Sequence, residues 1–192
     1  INGTGTVTAN SSATLVSGSG KFLIGGNATL QLSAAHASNL TIEDKSGESG
    51  NVTITQLSET SGAILAGITT TGNINVQTSA DVSSGDPFDG TFPAEAFTLG
   101  GAGTHDIFID HASGSGITTA KTLTVANDTT IFIPANEITG KTVTTADGTI
   151  NITALNATTA ADLSNITETG SGSVTVTTSA DVTFTGSFPN AD

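Results

Sequence analysis

The chain has 192 residues, four lysines against 17 acidic side chains, and a formal net charge of −13. A nucleic-acid or anionic-membrane surface needs clustered cations, so this balance argues against both as partners. Ser and Thr fill 57 positions (20 Ser, 37 Thr) beside 23 Gly, while Cys, Met, Trp, Tyr and Arg are absent, which removes disulfides, thiolate metal sites and a core of large rings.

What remains is a thin core of Val, Ile, Leu and Ala. Thr, Val and Ile favour extended backbone because branching at Cβ restricts χ1. No stretch is apolar for long enough to span a membrane. Residue 1 is Ile and no signal peptide is visible, so the expectation is a chain that is processed or cut from something longer. A Cys-free acidic chain fits an extracellular setting.

The first clear element is "NVTIT", Asn51–Thr55, with Val52 and Ile54 on one face and Asn51, Thr53 and Thr55 on the other. Such period-two alternation predicts a strand with one buried and one wet face. "SETSGAILAGI", Ser58–Ile68, breaks the pattern: Leu65 and Ile68 stand three apart, which predicts a single helical turn opened by a Ser or Thr cap. "SSGDPFDGTF", Ser83–Phe92, reads as a Pro/Gly turn carrying Asp86 and Asp89. "HDIFIDH", His105–His111, reads as a strand with an Ile107–Ile109 core stripe and Asp106, Phe108 and Asp110 on the opposite face. "TINIT" (Thr149–Thr153) and "SVTVT" (Ser173–Thr177) alternate as Asn51–Thr55 does. Between them "NATTAADLSNI", Asn156–Ile166, repeats the helical spacing at Leu163 and Ile166.

These elements form two sets. Gly50–Val82 matches Gly148–Val182: Ile54 meets Ile152, Leu57 meets Leu155, Leu65 meets Leu163 and Ile68 meets Ile166. Both stretches end in an identical "TSADV", at Thr78–Val82 and Thr178–Val182. "GTFP" at Gly90–Pro93 pairs with "GSFP" at Gly186–Pro189, and "SGSG" recurs at Ser17–Gly20 and Ser113–Gly116. The chain is therefore two tandem copies of about 95 residues, 1–93 and 94–192. The expected fold is all-β, a parallel β-solenoid with Thr, Asn and Ser stacked between rungs of about 20 residues. The alternative is a pair of immunoglobulin-like sandwiches, whose usual domain size is about 100 residues. The absence of Trp and Tyr favours the solenoid, whose core is narrow.

Leu-x-(small polar)-Ala-x-Leu-x-x-Ile followed by a Gly-bounded Val-Thr-Val run, carried here by Leu57–Val76 and Leu155–Val176, resembles the repeats of very large bacterial or archaeal cell-surface proteins. These are β-strand-repeat proteins of the adhesin, S-layer and extracellular-fibre type. The resemblance implies an exported structural or adhesive role and brings no catalytic residues with it. The glycine-rich calcium nonapeptide of some such proteins is not matched: "LGGAGTHDIF" at Leu99–Phe108 has Gly100, Gly101 and Gly103, but His105 breaks the pattern.

Candidate sites are few. Asp86 and Asp89, with Asp106 and Asp110, are the carboxylates that could hold a cation, calcium by preference, since it takes several oxygens from such loops. The competing reading is an acidic turn beside an ordinary strand. His105 and His111 would lie roughly 20 Å apart on an extended strand, too far to share an ion. Asp81 and Asp181, inside the two TSADV segments, read as side chains bonding a turn backbone.

Nine of the 13 Asn begin Asn-x-Ser/Thr, where chance gives about four. Asn27, Asn39, Asn51, Asn127, Asn151, Asn156 and Asn165 are the candidate glycan sites among them; Asn2 and Asn10 are the other two. Strand alternation alone also generates such triplets, because residues i and i+2 share the wet face. Thr-x-Thr pairs recur at irregular spacings, so no regular outer array is expected from them.

Sugar-cleaving solenoids need acidic clusters with a basic partner and stacking aromatics. Arg, Trp and Tyr are missing and no nucleophile elbow is present. The expectation is a structural, self-associating extracellular protein, joined end to end through its edge strands. The alternative is an adhesive module that binds calcium or a glycan.

Overall fold

The structure is a computed structural model that describes residues 5–8, 21–110, 117, 122–155 and 161–178. The first copy contains β1 (Thr6–Thr8), β2 (Lys21–Ile24), β3 (Thr29–Ser33), α1 (Ala34–Ala37), β4 (Thr41–Asp44), β5 (Asn51–Thr55), β6 (Ile68–Thr69) and β7 (Ile74–Thr78). The second contains β8 (Phe97–Gly101), β9 (His105–Phe108), β10 (Thr122–Val125), β11 (Thr129–Pro134), α2 (Ala135–Ile138), β12 (Thr142–Thr145), β13 (Thr149–Leu155), β14 (Ile166–Glu168) and β15 (Ser173–Thr178). Among the described residues all twelve strand pairings are parallel. The fold is a β-solenoid, and the antiparallel sandwich is excluded.

Three sheets line the solenoid: an eight-stranded one in the order β1-β3-β5-β7-β8-β10-β12-β14, a four-stranded one, β15-β13-β11-β9, and a three-stranded one, β2-β4-β6. Partner offsets along the eight-stranded sheet run from 20 residues (Thr122 to Thr142) to 26 (Phe97 to Leu123), so rungs are mostly longer than expected. At about 4.8 Å per rung its eight strands span roughly 34 Å.

In-register stacking explains the composition. One inward column runs Leu32, Ile54, Val76, Leu99, Val125, Thr145, each beside the next. Its five aliphatic members are at most 1% exposed. One outward column runs Thr8, Gln31, Thr53, Asn75, Thr98, Thr124, Thr144, Thr167. Each residue in it is uncharged and able to hydrogen-bond, and Thr124 and Thr144 are joined directly through Oγ1 at 3.3 Å. The array is more regular than the sequence spacing of the Thr pairs indicates, because corner loops absorb the differences in rung length.

Those corners are tight. A Cβ on Gly72 would sit 2.2 Å from the Gly50 carbonyl oxygen, and one on Gly172 would sit 2.2 Å from that of Gly148. Both copies thus need a bare backbone where one turn crosses the next.

The helical turn expected at Leu65 and Ile68 is not a helix. Leu65 and Leu163 accept the N–H of Ile68 and Ile166 at 3.0 and 3.1 Å, so the spacing of three is one hydrogen-bonded turn entering a strand. Among the described residues the helical turns are α1, α2 and a 3₁₀ turn at Leu57–Glu59, which overlaps the start of the Ser58–Ile68 stretch. In α1 the Ser33 side chain caps the N-terminus by accepting the His36 N–H.

The two copies are stacked with a shift of one side. By sequence, β1, β3, β5 and β7 correspond to β9, β11, β13 and β15, whereas β2, β4 and β6 correspond to β10, β12 and β14. Yet the eight-stranded sheet joins the first set of copy one to the second set of copy two through β8. Val76 beside Leu99 and Thr78 beside Gly101 make that junction, so the sheet runs across the boundary near Pro93.

Phenylalanine fills the seam. Phe88, Phe92 and Phe97 are at most 3% exposed. The Phe92 ring lies 4.5 Å from that of Phe88 and 5.1 Å from that of Phe97, centroid to centroid. Among the described residues the narrow core of small side chains is thus interrupted where the sides change over. Phe92→Ala should cost about 3–5 kcal/mol, because a ring-sized void in a rigid seam collapses poorly. Chemical denaturation of the variant against the parent reads it; a loss under about 1 kcal/mol would show that the seam repacks.

Candidate functional site

The four candidate carboxylates lie close in topology but are not gathered as ligands. The segment Ser83–Asp86 is a turn in which Asp86 N–H donates to the Ser83 carbonyl (3.3 Å) and its Oγ (3.2 Å). Phe88 pairs with β9's flank: its N–H donates to the Phe108 carbonyl at 2.8 Å, and it accepts the Asp110 N–H at 3.0 Å. Asp86, Asp89, Asp106 and Asp110 are all exposed. Among the described residues no group of three or more His, Asp or Glu side chains is assembled to hold a metal ion. The Asp86–Asp89 segment serves the fold through Phe88, the buried residue between the two acids.

β9 follows the predicted stripe. Ile107 and Ile109 are buried, and Phe108 faces outward between exposed Asp106 and Asp110. On the outer face Phe108 lies flat against Phe132 of β11, with centroids 4.1 Å apart and rings within 2° of parallel. His105 Nε2 sits 3.3 Å from the Ala102 carbonyl oxygen; His111 lies outside the described residues.

Asp81 does not bond its own turn. Its Oδ1 accepts the Asp106 N–H of the following rung at 3.1 Å and lies 3.7 Å from His105 Nδ1. The turn itself is closed by Thr78, whose Oγ1 donates to the Ala80 carbonyl and accepts the Ala80 N–H. Asp181 lies outside the described residues.

Asp81 belongs to a pattern that sequence reading missed. Asp44 Oδ2 accepts the N–H (2.7 Å) and hydroxyl (2.6 Å) of Thr71 one rung on, while its Oδ1 accepts the Gly50 N–H at 2.9 Å. Asp147 Oδ1 accepts the hydroxyl (2.8 Å) and N–H (3.2 Å) of Ser171. Asp162 takes the same two groups from Ser164, two residues on. This last contact is signalled locally, as an Asp-x-Ser turn; those of Asp44 with Thr71, Asp81 with Asp106 and Asp147 with Ser171 join residues 24 to 27 positions apart.

The sequons divide in two. Asn51 and Asn151 lie on β5 and β13, half-buried, where alternation generates the triplet. Asn51 Oδ1 accepts the Asn73 N–H at 2.9 Å. Asn27, Asn39, Asn127 and Asn165 are exposed turn residues placed just before β3, β4, β11 and β14. Two of these, Asn27 and Asn39, adopt left-handed φ of 61° and 63°, a conformation Asn tolerates. Asn156 lies outside the described residues.

Among the depressions formed by described residues are two. One of about 170 Å³ is lined by Ser33, His36, Gln56 and Glu59 among others. There Ser33 Oγ lies 2.8 Å from His36 Nδ1, and Gln56 Nε2 donates to both oxygens of Glu59 at 3.1 Å. The serine hydroxyl is already the cap of α1, which accounts for its contacts with His36. The second copy carries Pro134 and Glu137 at the matching positions, so the pair is no part of the repeat. The other, about 280 Å³, opens on the eight-stranded face around Asn73, Ala96, Thr98 and Thr124.

Compared with protein-family profiles, curated proteins and solved structures, the chain matches none.

The carboxylate brackets set a pH dependence. Burial pushes the Asp44 carboxyl upward, but three hydrogen bonds from Thr71 and Gly50 outweigh it and hold its pKa below the ordinary 3.8. Asp147 and Asp162 are held lower by the hydroxyl and then the N–H of Ser171 and Ser164. A lowered folded pKa gives stability that is complete above the unfolded value and is lost as pH falls through the folded one. Asp44→Ala should therefore cost on the order of 1 kcal/mol at pH 7, modest because the carboxylate is half-exposed. The difference in Tm from the parent should shrink as pH falls below 3.8. A gap that stays constant down to about pH 2 would sever the charge from the stabilisation.

Proposed function

We propose that the chain is an extracellular structural protein: a repeat module of a surface adhesin, an S-layer or a self-assembling fibre, with no catalytic role. The observation that carries this reading is the continuous eight-stranded parallel sheet, built from both copies over one unbroken core. Its mechanism is mechanical. Backbone ladders run along the axis, and each rung is tied to the next by in-register aliphatic, Thr and Asn columns. Carboxylate brackets pin the corners.

Location at the cell surface is supported by the Cys-free acidic composition, by the resemblance of Leu57–Val76 and Leu155–Val176 to surface-protein repeats, and by four sequons at exposed turns. Asn27, Asn39, Asn127 and Asn165 are the sites proposed to carry glycans. The proposed contacts are other copies of the chain and a glycan or cell surface, without nucleic acid or membrane insertion. Among the described residues no helix is long and apolar enough to cross a membrane.

Electron microscopy of native material tests the reading. Narrow rods or filaments with this chain as the repeating unit are expected; globular particles without a rod axis would overturn it. Calcium titration separates the adhesive alternative. A mechanical module should keep its Tm within about 1 °C at millimolar calcium. A rise of several degrees would instead indicate a calcium-binding module, with Asp86, Asp89, Asp106 and Asp110 as its first suspects.

A further inference from the structure

The outer face of the eight-stranded sheet carries two neutral columns side by side. The first is the column from Thr8 to Thr167 described above. The second lies two residues earlier on each strand, where Thr6 stands beside Thr29, Thr29 beside Asn51, and Thr122 beside Thr142. Asn73 continues it, donating its N–H to Asn51 Oδ1 at 2.9 Å. At Ala96 the row lacks a polar group, and there the face is dimpled by the depression of about 280 Å³, room for several waters. Within each column side chains repeat at about 4.8 Å along the axis, and the two columns stand about 6.7 Å apart along the strands. No register shift interrupts these pairings among the described residues. The described strands of the other two sheets differ. β4 turns Glu43 outward beside exposed Leu23, and β9 turns Asp106 and Phe108 outward.

We propose that this face binds the surface of ice, its two columns holding a layer of water in register with the crystal. The two repeats, axial and along the strand, lie close to the oxygen repeats on a prism face of ordinary ice. A pocket suits a molecule of fixed size; a face that repeats in two directions suits a partner that does the same. A Thr hydroxyl offers one donor and two acceptor sites, so Thr124 and Thr144 keep bonding capacity for water after bonding each other. Bridging water costs little to immobilise where protein groups already stand at the lattice positions. Charge is the wrong chemistry for this task, because an ion gathers water radially and draws it off a lattice. Neither column contains a charged residue, on a chain of net charge −13. The inference is independent of the mechanical reading, which the microscopy of native material decides.

The test uses the full chain made without glycans, since Asn165, a proposed glycan site, ends the second column. Thermal hysteresis and ice-crystal shape are measured by nanolitre osmometry on the parent and three variants. Thr98→Tyr and Thr124→Tyr alter the middle of the first column, and Thr130→Tyr alters the outer face of β11. Circular dichroism checks the fold of each. The parent should facet ice crystals and show a hysteresis gap that grows with concentration. Each column variant should at least halve that gap while keeping the parent's Tm, because a ring standing out of the column lifts the face from the lattice. Thr130→Tyr should leave the gap unchanged. Two column variants keep the test decisive where one of them does not fold. A parent without hysteresis or faceting overturns the proposal. So does an equal loss from Thr130→Tyr, or a folded column variant with the parent's full gap. Retention on an insoluble polysaccharide in place of hysteresis also overturns it, and gives the face to a sugar.

Discussion

Everything in this structure follows from one constraint: each turn must return to the same register on the turn below it. In a parallel solenoid a residue's neighbours are not the next residues in the chain but those one rung away. A position is acceptable only if it can stand about 4.8 Å from its own kind. Leu32, Ile54, Val76, Leu99 and Val125 satisfy this inside, and Thr8, Thr53, Thr98, Thr124, Thr144 and Thr167 satisfy it outside. Rung length varies from 20 to 26 residues without disturbing either column, because the variation is confined to corners and to the irregular side.

The side shift between copies is the second-order feature. Had the copies stacked without it, each sheet would have continued its own sequence equivalent. Instead β8, which has no counterpart in the described part of the first copy, lies on β7 and passes that sheet to the second copy. The cross-section must be refilled where the sides change, and Phe88, Phe92 and Phe97 occupy that volume. This gives three of the chain's eight Phe a place, in a core that otherwise holds small side chains.

The fold was legible because its strongest determinant is periodic. Val52/Ile54 and Ile150/Ile152 announce strands, and the matched Leu65/Ile68 and Leu163/Ile166 announce a shared rung. What was not legible depends on contacts between rungs. Leu65 and Ile68 look helical because a hydrogen-bonded turn and a helix both bring residues three apart to one side. Asp44 to Thr71 and Asp147 to Ser171 have no local signature. Asp86 and Asp89 drew attention as acids, while Phe88 between them is the residue the fold uses. The sequons at Asn51 and Asn151 were legible as strand alternation; those at Asn27 and Asn39 required knowing that the backbone turns there with positive φ.

Register also decides where charge can go. Two like charges one rung apart would repel by about 0.9 kcal/mol even in water, and a column of them would repeat that at every rung. A chain of net charge −13 must therefore keep its acids out of continuous columns. The outward Thr/Asn/Gln column of the eight-stranded sheet is free of them; Asp44 closes β4, and Asp81, Asp147 and Asp162 stand outside the named strands. There the charge does useful work, because a carboxylate can accept N–H groups that the turn leaves without a ladder partner. The same rule bears on the ends. β15, Ser-Val-Thr-Val-Thr-Thr, contains no ionisable side chain. β2 carries one, Lys21, and its ammonium is engaged by Glu43 of β4 at 2.9 Å.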